Sequence, residues 1–323
     1  VFEVVFLGTA AGVPSVDRGL PALIVLHGRH RFLVDCGEGT QRQLLRSGLG
    51  LRRLDCVLLT HAHLDHLLGV GGLVATLALL QASQGLTVYG GASTLRAVRS
   101  LLAEVVWPGG RPKFEVRSVA IGPGTIIEDD QLRVRAFPVT HRGAEAFGFA
   151  FEQKSRARLL PDRLAALDVP AGPERRRLLE GEEIVRPDDG RRIAPAEVLG
   201  QPRPGSRLIV IGDAGRPDEL LEVARDADAL IVEATFLERD ADKAEDRGHL
   251  TAAQAARLAR AANVRALYLT HVSGRYEQIE IETEARAIFP AATVARDFDR
   301  IAVRAAGSQS GGKGYEPGHA EHD

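Results

Sequence analysis

Cysteine is nearly absent: Cys36 and Cys56 are the only two in 323 residues. Each sits in a strand-like context and reads as a buried free thiol of a reducing compartment, and a disulfide-stapled scaffold is excluded. No apolar stretch approaches the roughly 18 residues that a membrane-spanning helix needs. The opening run, Val1-Phe2-Glu3-Val4-Val5-Phe6-Leu7, carries an acid and no basic segment, so no signal peptide is expected and the protein reads as cytoplasmic. An excess of one charge is missing as well. With 41 Lys and Arg against 43 Asp and Glu, the formal net charge is -2, so any contact with a polyanion must come from a local patch. No internal repeat is present. The remainder, 45% hydrophobic and 26% charged, is the composition of a globular protein able to bury a sizeable core.

Histidine is scarce too, with 10 residues, yet three of them fall in His61-Ala62-His63-Leu64-Asp65-His66. Imidazole nitrogen suits zinc and a carboxylate can serve the same ion, so this cluster reads as the nucleus of a site for two neighbouring metal ions. The preceding Cys56-Val57-Leu58-Leu59-Thr60 reads as a buried strand, and Leu67 onward, with Gly69, Gly71 and Gly72, as a loop leading into a helix. Further acids and imidazoles also follow strand-like runs. His141 comes after 132–137, Asp213 after 208–211 and His271 after 266–269. Three separate strands thus deliver one candidate ligand each. A lone histidine after a strand is ordinarily a hydrogen-bonded core or surface residue; it is the combination with the cluster that points to metal.

Strands are predicted at 1–7, 22–26, 31–34, 55–59, 86–89, 132–137 and 147–151, and again at 208–211, 229–232 and 266–269. Helical spacing marks 41–47, 73–81, 95–106, 217–225 and 251–262. Thr251 and Gln254 have capping-box spacing, which fixes the first turn of the last helix and hence the position of His249 just before it. Between about 153 and 205 the chain is rich in Arg, Glu and Pro, with little apolar periodicity, and reads as a flexible inserted arm. Loops of that length inside a compact domain are functional or disordered. The tail, 306–323, is polar and simple and is expected to be disordered, which removes His319 and His322 from the ligand candidates.

Specific stretches carry a resemblance: Phe6-Leu7-Gly8-Thr9, Ala11-Gly12-Val13-Pro14-Ser15, Val34-Asp35-Cys36-Gly37-Glu38-Gly39-Thr40-Gln41, the His61 cluster, Glu233-Ala234-Thr235-Phe236, Gly248-His249 and His271-Val272-Ser273-Gly274-Arg275-Tyr276. On these the chain, from Phe6 to about Phe298, resembles the metallo-β-lactamase superfamily and, within it, the ribonuclease Z family of endonucleases that mature transfer-RNA 3′ ends. The resemblance implies an α/β fold, a four-layer αββα sandwich over residues 1–305 with the 153–205 insert as a protruding arm. It implies a zinc-dependent endoribonuclease with two zinc ions per subunit, acting on precursor tRNA to remove the 3′ trailer, in a homodimer with no membrane association and no nucleotide cofactor. His61, His63 and His141 would hold one zinc, Asp65, His66 and His271 the other, and Asp213 would bridge them. Such a pair, about 3.5–4 Å apart, polarises a phosphoryl oxygen and lowers the pKa of a shared water.

The same resemblance makes Asp65 and His249 the catalytic residues, the first as proton acceptor and the second as helper of the departing ribose 3′ oxygen. Glu233 would orient His249, which read on its own is equally a loop histidine hydrogen-bonded before a helix. Asp35 is either a turn beneath the site or a direct ligand. Ser273 and Arg275 are candidates for a substrate phosphate, a surface salt bridge being the plainer reading. In the insert, Gly172 and Pro173 match the family's tRNA-gripping exosite, and Arg175, Arg176 and Arg177 could contact phosphates without reading sequence. Gly19, Ala214, Val232 and Leu250 depart from the family pattern, which has Asn, Thr, His and a small hydroxyl residue there. Two rivals share these residues: another hydrolase on the same scaffold, such as a small phosphodiesterase or arylsulfatase, and a zinc-stabilised nucleic-acid-binding subunit without activity.

Overall fold

A computed structural model of the protein describes residues 1–110, 114–155, 157–186, 188–202 and 204–306. The tail expected to be disordered, with His319 and His322, lies outside the described residues from 307 onward. The strands are β1 (Phe2–Gly8), β2 (Ala22–His27), β3 (His30–Val34), β4 (Cys56–Leu58), β5 (Gly85–Gly90), β6 (Glu115–Ala120), β7 (Gly124–Glu128), β8 (Leu132–His141), β9 (Ala144–Gln153), β10 (Ile184–Val185), β11 (Arg192–Ile193), β12 (Arg207–Val210), β13 (Ala229–Glu233), β14 (Leu267–Thr270), β15 (Ala292–Val294) and β16 (Arg300–Val303). Two 7-stranded mixed sheets form, in the orders β16-β1-β2-β3-β4-β5-β6 and β15-β14-β13-β12-β9-β8-β7. Parallel pairing runs from β3 to β6 in the first and from β12 to β15 in the second, the remaining pairs being antiparallel.

Alternation along the strands builds the layers. Phe2, Val4 and Phe6 of β1 face the other sheet and join Phe32, Leu58, Phe149, Phe151, Val210 and Ile231 in one core. Their neighbours Val5 and Leu7 face outward and pack with Leu33, Val57 and Leu59 against Leu44, Leu73, Val74, Leu77 and Val98 of the covering helices. On the far side Ile209, Leu230, Val232, Leu267 and Leu269 meet Ala252, Ala255, Ala256 and Ala259 of helix Ala252–Ala261. Strands buried on both faces and helices on each outer side make the αββα sandwich. No helix among the described residues is long and apolar enough to cross a membrane.

Several local expectations change. Gly69, Gly71 and Gly72 lie inside helix Gly69–Leu80 and not in a loop, for a packing reason: a Cβ on Gly69 would stand 1.9 Å from the Gly37 carbonyl oxygen. Helix 95–106 divides into Ala92–Ser100, which is α-helical, and Leu101–Val106, a π-helix. The insert, read as lacking a core, has one: Leu164, Val169, Leu178, Ile184, Ile193 and Val198 are buried together under short helices and the β10-β11 hairpin. These residues are spaced too irregularly to give a helix or strand period. The insert leaves and rejoins the sandwich at one point, where the Gln153 backbone N–H donates to the Ser206 carbonyl at 2.9 Å.

Candidate metal centre and active site

Chain ends of neighbouring strands meet at one edge of the sandwich, the usual place for a site in α/β sheets. His61 follows β4, His141 ends β8, Asp213 follows β12, Glu233 ends β13 and His271 follows β14. Asp65 and His66 stand in the short helix Leu64–Leu67, with His63 just before it. That helix is sewn to the turn after β3: the Cys36 N–H donates to the His66 carbonyl at 2.7 Å, and the Gly69 N–H to the Cys36 carbonyl at 2.9 Å. Gly37 is required here, because a Cβ would lie 2.4 Å from the Asp65 carbonyl oxygen.

Every sequence-predicted metal residue is drawn into this centre. The donor atoms of His61, His63, His141 and Asp213 form one compact group, and those of Asp65, His66 and His271 another. Asp213 faces both. Its Oδ2 stands 3.7 Å from His61 Nε2 and 3.6 Å from His141 Nε2, while its Oδ1 stands 3.3 Å from His66 Nε2 and 3.2 Å from His271 Nε2. His63 Nδ1 lies 3.3 Å from His141 Nε2, and Asp65 Oδ2 lies 3.4 Å from His271 Nε2. His61 Nε2, His66 Nε2 and Asp213 Oδ1 are buried without a hydrogen-bond partner among the described residues. Buried polar atoms without partners are costly, and a cation bound between these would satisfy them.

On His61, His66, His141 and His271 the opposite ring nitrogen is held. His66 Nδ1 donates to Asp35 at 2.8 Å, and His141 Nδ1 to the Gly248 carbonyl at 2.7 Å. His61 Nδ1 meets Thr60 Oγ1 at 3.0 Å, and His271 Nδ1 meets Thr235 Oγ1 at 2.8 Å. Each hydroxyl passes the link to a buried carboxylate, Thr60 to Asp35 and Thr235 to Glu233. Placing the proton on Nδ1 leaves Nε2 as a lone pair aimed at the centre. Asp35 therefore supports from beneath and is not placed among the donors. Sequence reasoning missed Thr60 and Thr235; the signal was there, one adjoining His61 and the other inside Glu233-Ala234-Thr235.

Glu233 is fully buried and takes three donors: Ala214 N–H at 2.7 Å, His249 Nδ1 at 2.9 Å, and the Thr235 hydroxyl. The His249 ring is thereby held at the lip of the centre. Val232 and Leu250, which depart from the family pattern, turn into the helix-facing core and leave the Glu233–His249 bond intact.

Charge follows the geometry. Burial pulls His61 down to about 2, and it also lowers His63 and His141, so these rings are neutral. Burial pushes Asp213 up, but His271 and His66 outweigh it and hold the carboxylate well below its ordinary value. Burial likewise opposes ionisation of Asp65, which the His271 bond and the neighbouring His66 ring keep low. His249 is raised: burial lowers it, and Glu233 and Asp213 more than compensate.

A cleft of about 510 Å³ opens over the centre, lined by His63, Asp65, Asp213, His249 and His271 together with Ser273, Arg142, Arg247 and Arg275. Arg275 is exposed and lies over the Phe236 ring at 5.9 Å. The insert residues stand apart from this centre. Gly172 caps helix Pro173–Leu179, Arg175 reaches back to the Val169 carbonyl at 2.7 Å, and Arg176 and Arg177 pair with Glu180 and Glu182.

Sandwich and centre together define a metal-dependent hydrolase of the metallo-β-lactamase superfamily. The model of the beta-lactamase superfamily domain matches residues 30–162 and 190–272. Ribonuclease Z of Bradyrhizobium diazoefficiens is 52% identical over 303 residues, covering 94% of this chain and 100% of the relative. Ribonuclease Z of Archaeoglobus fulgidus is 37% identical, over 94% of this chain and 98% of its own. The crystal structure of human tRNase Z, short form, superposes with a TM-score of 0.66 at 26% identity, over 94% of this chain and 100% of that one. The chain belongs to the ribonuclease Z family and is an endoribonuclease that hydrolyses phosphodiesters.

Proposed function

We propose that this enzyme uses two zinc ions to cut precursor tRNA and remove its 3′ trailer. The observation that carries this reading is Asp213, whose two oxygens face two separate sets of imidazoles at 3.2–3.7 Å. Ligands around a tetrahedral zinc at about 2.0–2.1 Å stand roughly 3.3 Å from one another, close to these separations. In this reading His61, His63 and His141 would hold one ion and Asp65, His66 and His271 the other, with Asp213 facing both. Bound there, the ions would supply a nucleophile at neutral pH and neutralise the phosphoryl charge. Asp65, ionised and within the cleft, accepts the proton of the attacking water. His249, charged and steadied by Glu233, gives a proton to the departing ribose 3′ oxygen. Ser273 and Arg275 hold a phosphate oxygen at the rim.

The catalytic unit spans 1–305, and its insert, 153–205, serves as the tRNA-gripping exosite. Gly172 and Pro173 set the direction of the helix, Arg175 braces the turn at Val169, and Arg176 and Arg177 are exposed. Their glutamate partners form surface ion pairs, which contribute little to stability, so a phosphate can replace them at small cost. A homodimer belongs to the same reading, and sedimentation of the purified protein tests it.

The deciding assay offers labelled precursor tRNA to the purified protein, to Asp65→Ala and to a variant whose insert is replaced by a short turn. Cleavage by the parent, its loss in Asp65→Ala and its loss on removing the insert are expected. If the parent leaves precursor tRNA uncut and hydrolyses a small chromogenic diester with or without the insert, the enzyme is instead a small phosphodiesterase of this scaffold. A zinc-loaded parent that binds tRNA without cutting either substrate would leave a binding subunit.

A further inference from the structure

The metal cleft adjoins a second, larger groove of about 1000 Å³, and the two share Arg142 and His249. Their charges differ in sign. The groove is lined by Asp218, Glu219, Asp242, Glu245 and Asp246, and its Arg216 is tied to Glu219 at 3.5 Å. The cleft carries Arg142, Arg247 and Arg275 around the centre, and among the described residues its lining acids are Asp65 and Asp213. A polyanion entering at the centre is thus repelled by the groove and drawn along the cleft.

Arg142 and Arg247 are not part of any motif, yet the fold brings them together. His141 Nδ1 holds the Gly248 carbonyl at 2.7 Å, clamping the loop before His249 onto the end of β8. Gly248 has a φ of +61°, and a Cβ on it would stand 2.7 Å from Arg142 Cγ, so only glycine allows this approach. The two arginines leave the backbone on either side of that contact, and both reach the cleft. Both are exposed, and neither has a carboxylate partner among the described residues.

Resting on the endonuclease reading above, we propose that Arg142 and Arg247 are positioning residues that grip RNA phosphates neighbouring the scissile one, on the His249 side of the cleft. A free guanidinium can take two oxygens of one phosphate, and each such contact releases counterions from the nucleic acid. They add no chemistry; they fix the register of the strand across the metal centre.

The test measures kcat/KM on labelled precursor tRNA between about 50 and 200 mM salt. For Arg142→Gln and Arg247→Gln the log–log salt slope should shrink by about 0.7–0.9 each, the loss of one phosphate contact, and by about twice that in the double variant. The rise should be in KM, and the excess over the parent should be roughly threefold greater at the lower salt than at the upper, with kcat much less affected. Arg142→Lys should restore most of the slope, and Arg260→Ala, on the exposed side of helix Ala252–Ala261, should not alter it. On a small chromogenic diester, which has no neighbouring phosphate, the losses should be far smaller than on RNA. An unchanged slope in both glutamine variants, or equal losses on RNA and diester, overturns the proposal while leaving the endonuclease reading standing. A parent that does not cut precursor tRNA overturns both.

Discussion

Asp35→Asn is the sharpest probe of how the centre is held. The residue sits at φ +57°, where asparagine is tolerated at least as well as aspartate, so the backbone is not strained by the change. Its Oδ1 accepts from Thr60 N–H at 2.8 Å, and its Oδ2 from His66 Nδ1 at 2.8 Å. An amide has only one accepting oxygen, so one of these donors must face an NH2 group. If the NH2 faces Thr60, a buried backbone donor is stranded at a cost of about 1–3 kcal/mol. If it faces His66, the ring answers by moving its proton to Nε2, the atom that points at Asp213 Oδ1 from 3.3 Å. The second arrangement strands no buried donor, and it removes a metal ligand. Loss of such supporting contacts lowers metal affinity about 10–100-fold, or about 1.4–2.8 kcal/mol. The assay is metal content after dialysis against graded chelator, with cleavage rates at limiting and saturating zinc. Half-loss of metal at roughly 10–100-fold lower chelator strength is expected, with activity largely regained at saturating zinc. A chelation curve that superposes on the parent's would refute the argument that the Asp35 carboxylate sets the His66 tautomer.

Glu233→Gln should leave metal content intact, because Thr235 can still accept from His271 and donate to its carbonyl, but His249 loses a charged partner. That partner, with Asp213, raises His249 against burial, so the loss moves the protonated form to lower pH. A neutral acceptor favours the charged ring less than a carboxylate does, so the alkaline limb of the rate profile should move to lower pH, and an unmoved profile would count against the proton-donor role. Gly69→Ala should destabilise the fold by at least about 1–3 kcal/mol, read by denaturant unfolding, since its Cβ would meet the Gly37 carbonyl oxygen at 1.9 Å. Burial pushes the Cys36 thiol up to about 12 and raises Cys56 as well, so neither should react with a thiol reagent until the protein unfolds. Because the folded state holds these protons more tightly than the unfolded chain, the stability they contribute is complete below about 8.5 and declines as pH rises beyond it, which unfolding at graded pH will read.

The candidate donors of the centre, and the strands that carry them, were legible in the sequence. Short-range spacing puts His61, His63, Asp65 and His66 beside one another whatever else folds, and the runs before His141, Asp213 and His271 are apolar enough to be buried strands. It did not announce β6 or β7, whose residues are half-exposed at the sheet edges, nor the three-residue β15. Nor did it reveal the insert's core, because Leu164, Val169, Leu178, Ile184, Ile193 and Val198 follow no period. Tertiary structure alone decided which oxygen of Asp213 faces which imidazoles, and that Thr60 and Thr235 link rings to buried carboxylates. It alone set Arg142 against Gly248, more than a hundred residues away in sequence. Spacing along a chain fixes what is near in a turn or a strand; which atoms face one another across two sheets depends on packing that no local pattern encodes.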